Sequence, residues 1–317
     1  ELLWLLGAPG LKTYQALDPL PPKAAPSRVF TDGGYAVMRS DWGRDAHQMI
    51  FDAGPVSAPK SGHGHADLLG IQCSVFGEPY IVDPGTYVYT GKPEWREFFR
   101  GTSAHSTVTI DGRSQATAAG SFNWKTQPAA RLTRWLSTKA FDYAAAEHDA
   151  YRDLADPVTH RRRVAFVKPR YWAIVDDLDG AAEHRIALRF QFAALRVALE
   201  PNHWARARGE RGHALLVRPF AAAPLTMDVI EGLRAPIQGW VSPAYGQRQP
   251  APVLICSAAA RLPLRIVTLL YPVEDPSAAC PEVSQLLGPA GPAGLIFRER
   301  GERLIFRDRD IALVERE

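Results

Sequence analysis

The chain opens on an apolar run, Leu2-Leu3-Trp4-Leu5-Leu6, and its first section ends in Pro19-Leu-Pro-Pro-Lys-Ala-Ala-Pro26. The run predicts the tail of a buried helix. The proline stretch, which excludes regular helix, predicts a semi-rigid linker. From Arg28 onward the pattern changes to short alternating apolar runs separated by Gly, Pro, Asp and Asn. Side chains alternate faces along a strand, so these runs predict half-buried strands at residues 34–39, 47–53, 71–76, 107–111, 163–167 and 172–176. Further strands are expected at 185–192, 214–218, 225–230, 253–257 and 266–270, and residues 294–307 read as a hairpin turning near Gly301. Asp176-Asp177 reads as a strand end followed by a turn. Helical spacing recurs at Pro93–Arg100, where Trp95, Phe98 and Phe99 would share a face. The expectation is an all-β protein: a large antiparallel β-sandwich over residues 28–317, preceded by a short helical remnant and linker over 1–27.

Composition narrows the class. A hydrophobic share of 46% and a charged share of 22% are those of an ordinary globular chain. No apolar run is long enough to span a membrane as a helix. Residue 1 is not Met and lies against an apolar run, so it reads as a cut point within a longer protein. Arginine outnumbers lysine thirty to seven, which would suit carboxylate or sulfate ligands, but the arginines are dispersed and net charge is only +3. Nucleic acid is therefore not an expected partner. Cys73, Cys256 and Cys280 are far apart with no CxxC; Cys73 and Cys256 sit in apolar runs and read as small core residues. No nucleophile elbow, Gly-rich phosphate loop or marked carboxylate pair for glycoside hydrolysis is present.

The candidate chemistry is concentrated in His63-Gly64-His65, Val82-Asp83-Pro84-Gly85-Thr86-Tyr87 and Ala104-His105-Ser106-Thr107. Neutral imidazole nitrogen and carboxylate oxygen are the donors a zinc site requires. In an extended segment His63 and His65 would point to the same face. Gly77-Glu78-Pro79 reads as a hairpin turn, and a simple hairpin there would bring Asp83 near Gln72 rather than His65. Two readings stay open on spacing alone: a metal site assembled by tertiary structure, or histidines serving loop hydrogen bonds.

Several stretches together resemble the C-terminal sandwich domain of the heparinase II/III-like polysaccharide lyases. They are Gly33-Gly-Tyr-Ala-Val-Met-Arg-Ser-Asp-Trp42, His63-Gly-His-Ala-Asp67, Tyr80-Ile-Val-Asp-Pro-Gly-Thr-Tyr87 and Trp95-Arg-Glu-Phe-Phe-Arg100. They continue with Ala104-His-Ser-Thr-Val-Thr-Ile-Asp-Gly112, His160-Arg-Arg-Arg163 before Tyr171-Trp172, and Gly239-Trp-Val-Ser-Pro-Ala-Tyr-Gly246. The resemblance covers most of residues 28–270.

The resemblance implies an N-terminal α/α toroid packed against the sandwich, with uronic-acid polysaccharide cleaved by β-elimination between them. Most of that toroid would lie outside this chain, and with it the principal Tyr and the Asn, His or Glu that neutralise the substrate carboxylate. It further implies that His65, Asp83 and His105 bind a zinc ion of structural role, with His63 facing the substrate as a catalytic residue. Substrate contacts would come from Tyr87, Arg96, Arg100 and Trp124, although helix arginines also pack locally and a loop tryptophan also packs in cores. Relatives often carry Asn where this chain has Ser106, and Tyr where it has Phe98; Tyr87 or Tyr89 would have to replace that hydroxyl. The expected partner is an acidic polysaccharide, and a polymer substrate favours a periplasmic or secreted setting. Residues 1–317 alone are expected to bind zinc with little or no turnover. The competing reading is a non-catalytic glycan-binding or structural sandwich in exopolysaccharide processing.

Overall fold

Eight antiparallel strands form the central sheet, in the spatial order Arg196–Glu200, Trp204–Arg208, Ala214–Ala221, Leu264–Val273, Tyr171–Asp179, Val158–Val167, Phe141–Tyr151 and Arg131–Ser137. The computed structural model describes residues 2–17, 22–56, 62–288, 291–307 and 311–315. One face of the central sheet packs against two smaller sheets. The first is a five-stranded meander of Arg28–Phe30, Tyr35–Arg39, Gln48–Asp52, Ile71–Val75 and Glu78–Ile81. The second has the order Thr226–Ile230, Val253–Arg261, Glu183–Gln191 and Val108–Ile110. Phe166, Trp172 and Ile174 of the central sheet meet Phe51, Leu188 and Phe190 there.

The opposite face is covered by a C-terminal sheet of Val283–Gly288, Gly291–Phe297, Glu302–Phe306 and Ile311–Glu315. Tyr171, Val175 and Leu269 pack against Leu295, Phe297 and Leu304. The sandwich is thus three layers deep, and the central strand Tyr171–Asp179 is buried at every position before Asp179. The expected hairpin turn stands at Gly301, in left-handed conformation. Cys73 and Cys256 are buried core residues.

The N-terminal segment is helical over Leu2–Gln15, with a break at Gly7, but none of its residues is buried. The expectation of a buried helix does not hold among the described residues: Trp4 and Leu5 face solvent because nothing described packs on them. Residues 22–27 of the linker carry no regular structure, and Glu1 and residues 18–21 of the expected helix and linker lie outside the described residues.

Asp176 and Asp177 are not a strand end. They sit inside the strand Tyr171–Asp179, buried, and pair in register with Arg162 and Arg161 of the neighbouring strand. Alternation sends Arg162 and Arg163 into opposite interfaces. Arg162 donates through Nε and Nη2 to the two Asp176 oxygens (2.7 and 3.1 Å), and His160 Nε2 meets Asp176 at 2.7 Å. Arg163 pairs with Asp177 on the side of the C-terminal sheet (2.7 Å). Buried charges persist only when so matched, and charged positions inside strands are what hid this segment from a pattern reading.

Removing one member of the Arg162–Asp176 pair strands the other as an uncompensated buried charge, so Arg162→Met is expected to cost about 3–5 kcal/mol of stability. Urea unfolding monitored by tryptophan fluorescence measures it; a loss below about 1 kcal/mol, that of an ordinary hydrogen bond, would show that the pair is not a structural keystone.

Candidate metal centre and active-site cleft

Three loops meet above the central sheet, and each is fastened by side-chain to backbone hydrogen bonds. The segment after Gly62 is not a strand. Ala66 N–H donates to Arg100 O (2.8 Å), Thr102 Oγ1 to Ala66 O (2.7 Å) and Thr107 Oγ1 to Leu68 O (2.8 Å). Leu69 adopts a left-handed φ of 60°, a strained conformation for a side-chain-bearing residue. Asp83 follows the strand Glu78–Ile81, with Val82 N–H bonded to Gln191 O (2.9 Å) and Gly85 N–H to Asp83 Oδ1 (2.8 Å). Gly85 must be glycine: φ is +80°, and a Cβ would lie 2.4 Å from Ser242 O. His105 ends a short helical turn, Thr102–Ala104.

The hairpin before Asp83 turns at Phe76 and Gly77, both left-handed, one residue earlier than the Gly77-Glu78-Pro79 expectation. As the spacing argument required, long-range structure, not the hairpin, brings Asp83 to His65. Arg162 closes the arrangement from below: its Nη1 donates both to Leu69 O (2.7 Å) and to Ser106 O (2.8 Å). One buried guanidinium therefore fixes the loop of His65 relative to the loop of His105.

The result is a cluster in which one donor atom from each of His65, Asp67, Asp83 and His105 lies within 4.8 Å of the others. The three residues singled out from the sequence are brought together, and Asp67 joins them; its only sequence signal is its place two positions after His65. His105 Nδ1 meets Asp83 Oδ2 at 3.0 Å, while His105 Nε2 is buried without a hydrogen-bond partner among the described residues. An orphaned buried nitrogen beside two carboxylates and a second imidazole is a donor set that fits a divalent cation of zinc type.

Charge at the cluster is poorly balanced without one. Burial, and then the neighbouring His105, push His65 down to about 3, which leaves its imidazole neutral and able to donate a lone pair. Burial raises Asp67 to about 7, partly offset by His105, and raises Asp52 to about 6. Burial alone would lower His105, but Asp83 overrides it and holds the imidazole above its ordinary value. Burial likewise opposes Asp83, whose carboxyl nonetheless lies below its ordinary range through His105 and then His65.

These groups line a cleft of about 290 Å³ that also includes Tyr35, Asp52 and His63. His63 and His65 both reach it, but from a loop that leaves His63 exposed and His65 buried. His63 Nδ1 is hydrogen-bonded to Tyr89 Oη at 3.1 Å. Tyr87, by contrast, is 3% exposed with its hydroxyl taken by Lys92 (2.6 Å) and Arg248. Arg96 and Arg100 are each 1% exposed. Arg96 donates to Gly62 O (2.9 Å) and Ser121 O (3.2 Å), and Arg100 to Ser121 O (3.3 Å) and Glu97. Half-buried Trp124 lies under the Arg100 guanidinium, 4.9 Å from it. Phe98 packs with Trp95, Phe99 and Trp240.

The layered antiparallel sandwich is shared with solved structures of lyases. A solved heparinase III gene product superposes with TM-score 0.73 at 24% identity, over 97% of this chain and 44% of that one. A heparan sulfate lyase from Pedobacter heparinus superposes with TM-score 0.71 at 20% identity, over 93% and 44%. Among curated proteins, the heparin-sulfate lyase of Bacteroides stercoris is 27% identical over 264 residues, 81% of this chain and 36% of its own length. That of Bacteroides thetaiotaomicron is 25% identical over 259 residues, 78% and 34%. The family described as heparinase II/III-like, C-terminal, matches residues 22–280, and the chain belongs to it. It spans about a third of the length of these two curated relatives.

A cation bound at the orphaned His105 Nε2 would displace the proton that this nitrogen carries while Asp83, bonded at Nδ1, keeps the ring in its charged form. Affinity for zinc is therefore expected to fall by about tenfold per pH unit below the raised His105 value, and more steeply below about 7, where Asp67 must lose its proton as well. Competition titrations with a chromophoric chelator between about pH 6 and pH 8 measure this; a flat profile would contradict the assignment of His105 as a ligand.

Proposed function

We propose that this chain forms the sandwich side of a cleft that cleaves a uronic-acid-containing polysaccharide by β-elimination, completed by a helical toroid. The observation that carries the reading is the His63–Tyr89 hydrogen bond at the cleft, beside the His65–Asp67–Asp83–His105 cluster. Membership of the heparinase II/III-like family supports it.

The reaction breaks the C–H bond α to the uronate carboxylate and the C–O bond β to it. A carbon–carbon double bond forms, and the proton finally resides on the leaving oxygen. One base and one acid are needed. His63 takes the α proton, the Tyr89 hydroxyl donates to the glycosidic oxygen, and the 3.1 Å contact between them returns the proton to the tyrosine. Tyr89 thereby supplies the hydroxyl that Phe98 does not.

His65, Asp83, His105 and Asp67 would hold a zinc ion, which would supply the positive charge that balances the clustered carboxylates. No described Arg or Lys lines the cleft, so neutralising the substrate carboxylate falls to the toroid. Arg96 and Arg100, whose donors hold Gly62 and Ser121, set loop positions, with Trp124 and Tyr87 packed behind them.

In the protein that joins this chain to the toroid, His63→Ala and Tyr89→Phe are each expected to lower kcat by about 10²–10⁴, with zinc content unchanged. Turnover is read from the ultraviolet absorbance of the unsaturated uronate product. Wild-type turnover in both variants would remove His63 and Tyr89 from the chemistry.

A further inference from the structure

Just beyond the strand Val108–Ile110, the chain is fastened by an imidazole that stands between two carboxylates. His184 is buried at the start of the strand Glu183–Gln191, with Nδ1 2.8 Å from Asp111 Oδ2 and Nε2 3.1 Å from Asp156 Oδ2. A neutral imidazole carries one N–H and can donate to only one carboxylate; two donations require the imidazolium. Each acceptor is itself fixed. Asp156 takes the N–H groups of Ala181 and Ala182, both at 2.8 Å, and Asp111 Oδ1 takes that of Arg185 at 2.9 Å. The strand Val253–Arg261 brings Ala260 beside His184, with Arg261 beside Glu183.

Asp111 is the strained member, left-handed at φ 51° without being glycine, and it turns the chain into the corner 111–115. That corner supports the cleft. Thr102 N–H donates to Ser114 Oγ (3.3 Å), Gln115 N–H donates to Thr102 Oγ1 (2.8 Å), and Thr102 Oγ1 in turn donates to Ala66 O (2.7 Å). Gln115 Nε2 donates to Leu68 O (3.0 Å). Ala66 and Leu68 flank Asp67, so the loop carrying His65 and Asp67 hangs on the corner that His184 fastens.

We infer that His184 is a proton-operated latch on the cleft: charged, it clamps the 111–115 corner to the Asp156 loop; neutral, it lets go of one carboxylate, and the corner and the cleft loop loosen together. The latch does not depend on the elimination chemistry proposed above. Burial alone would lower His184, but Asp111 and then Asp156 hold the imidazolium above its ordinary value of 6.5. Burial opposes Asp111, yet His184 and then Arg185 keep its carboxyl below the ordinary range. The Ala182 and Ala181 N–H groups, and then His184, bring Asp156 down to about 2. A group whose folded value is raised stabilises fully below its unfolded value, and that contribution is lost as pH rises through the folded one. The cleft loop is therefore held on the acidic side and loosens as the medium turns alkaline.

The test follows the 317-residue chain between about pH 6 and pH 9 by long-range proton–nitrogen spectra of the imidazoles. Amide hydrogen exchange of the segments 111–115 and 64–68, corrected for intrinsic rate, is measured alongside. The His184 ring is expected to titrate above 6.5, with both nitrogens protonated below its midpoint. Protection of both segments falls across that same midpoint, by about tenfold for each unit that the midpoint stands above the ordinary value. In His184→Gln the step at 111–115 is absent. In Asp156→Asn, which keeps the ring and removes one charge, it moves to lower pH. Three results overturn the latch: a ring titrating at or below 6.5, a step at 111–115 that survives His184→Gln and so belongs to another group, or a His184 titration that leaves both segments unchanged.

Discussion

The arrangement of the cleft depends on one buried guanidinium. Arg162 is neutralised from its own sheet by Asp176 and uses its remaining nitrogen to hold the carbonyls of Leu69 and Ser106. Those carbonyls belong to two loops far apart in sequence, one carrying His65 and Asp67, the other His105. A cationic donor serves here better than a neutral one, because charge-assisted bonds in a dry interior resist exchange with water. The three-layer packing that excludes water from the central sheet is thus also what makes the clamp effective.

Above the clamp, strain and unbalanced charge are concentrated in one place. Leu69 and Tyr87, both left-handed without being glycine, lie in the loops that build the cleft. Three carboxylates, Asp52, Asp67 and Asp83, share it with His65 and His105, and burial pushes two of those carboxylates well above their ordinary range. Such a site is costly to the fold and consistent with a resident cation, which would stabilise the deprotonated carboxylates and engage the orphaned His105 nitrogen. The proposed proton transfer sits just outside this cluster, at His63 and Tyr89, where an exposed imidazole can meet substrate.

The sandwich was legible wherever one strand face meets solvent or a polar layer, as in Tyr35–Arg39 and Gln48–Asp52, where alternation survives. Phe141–Tyr151 was not legible. It is covered on both sides and rich in alanine, which removes alternation and β propensity together. Asp176-Asp177 read as a turn because isolated aspartates favour turns; their cross-strand arginines are what place them in a core strand. At the site, spacing alone argued against joining Asp83 to His65, and only the family resemblance named the three residues that the structure brings together. Asp67 carried only its place two positions after His65 as a signal, since its significance lies in which loops meet.

The central claim is that this cluster is built for a cation held by imidazole and carboxylate. Zinc-edge X-ray absorption on the purified chain, loaded with one equivalent, tests it directly. The account predicts a first shell of two imidazole nitrogens plus carboxylate oxygen at about 2.0–2.2 Å, with the imidazole scattering reduced in His105→Ala. A spectrum of hydrated zinc, or an imidazole signal unchanged in that variant, would contradict it.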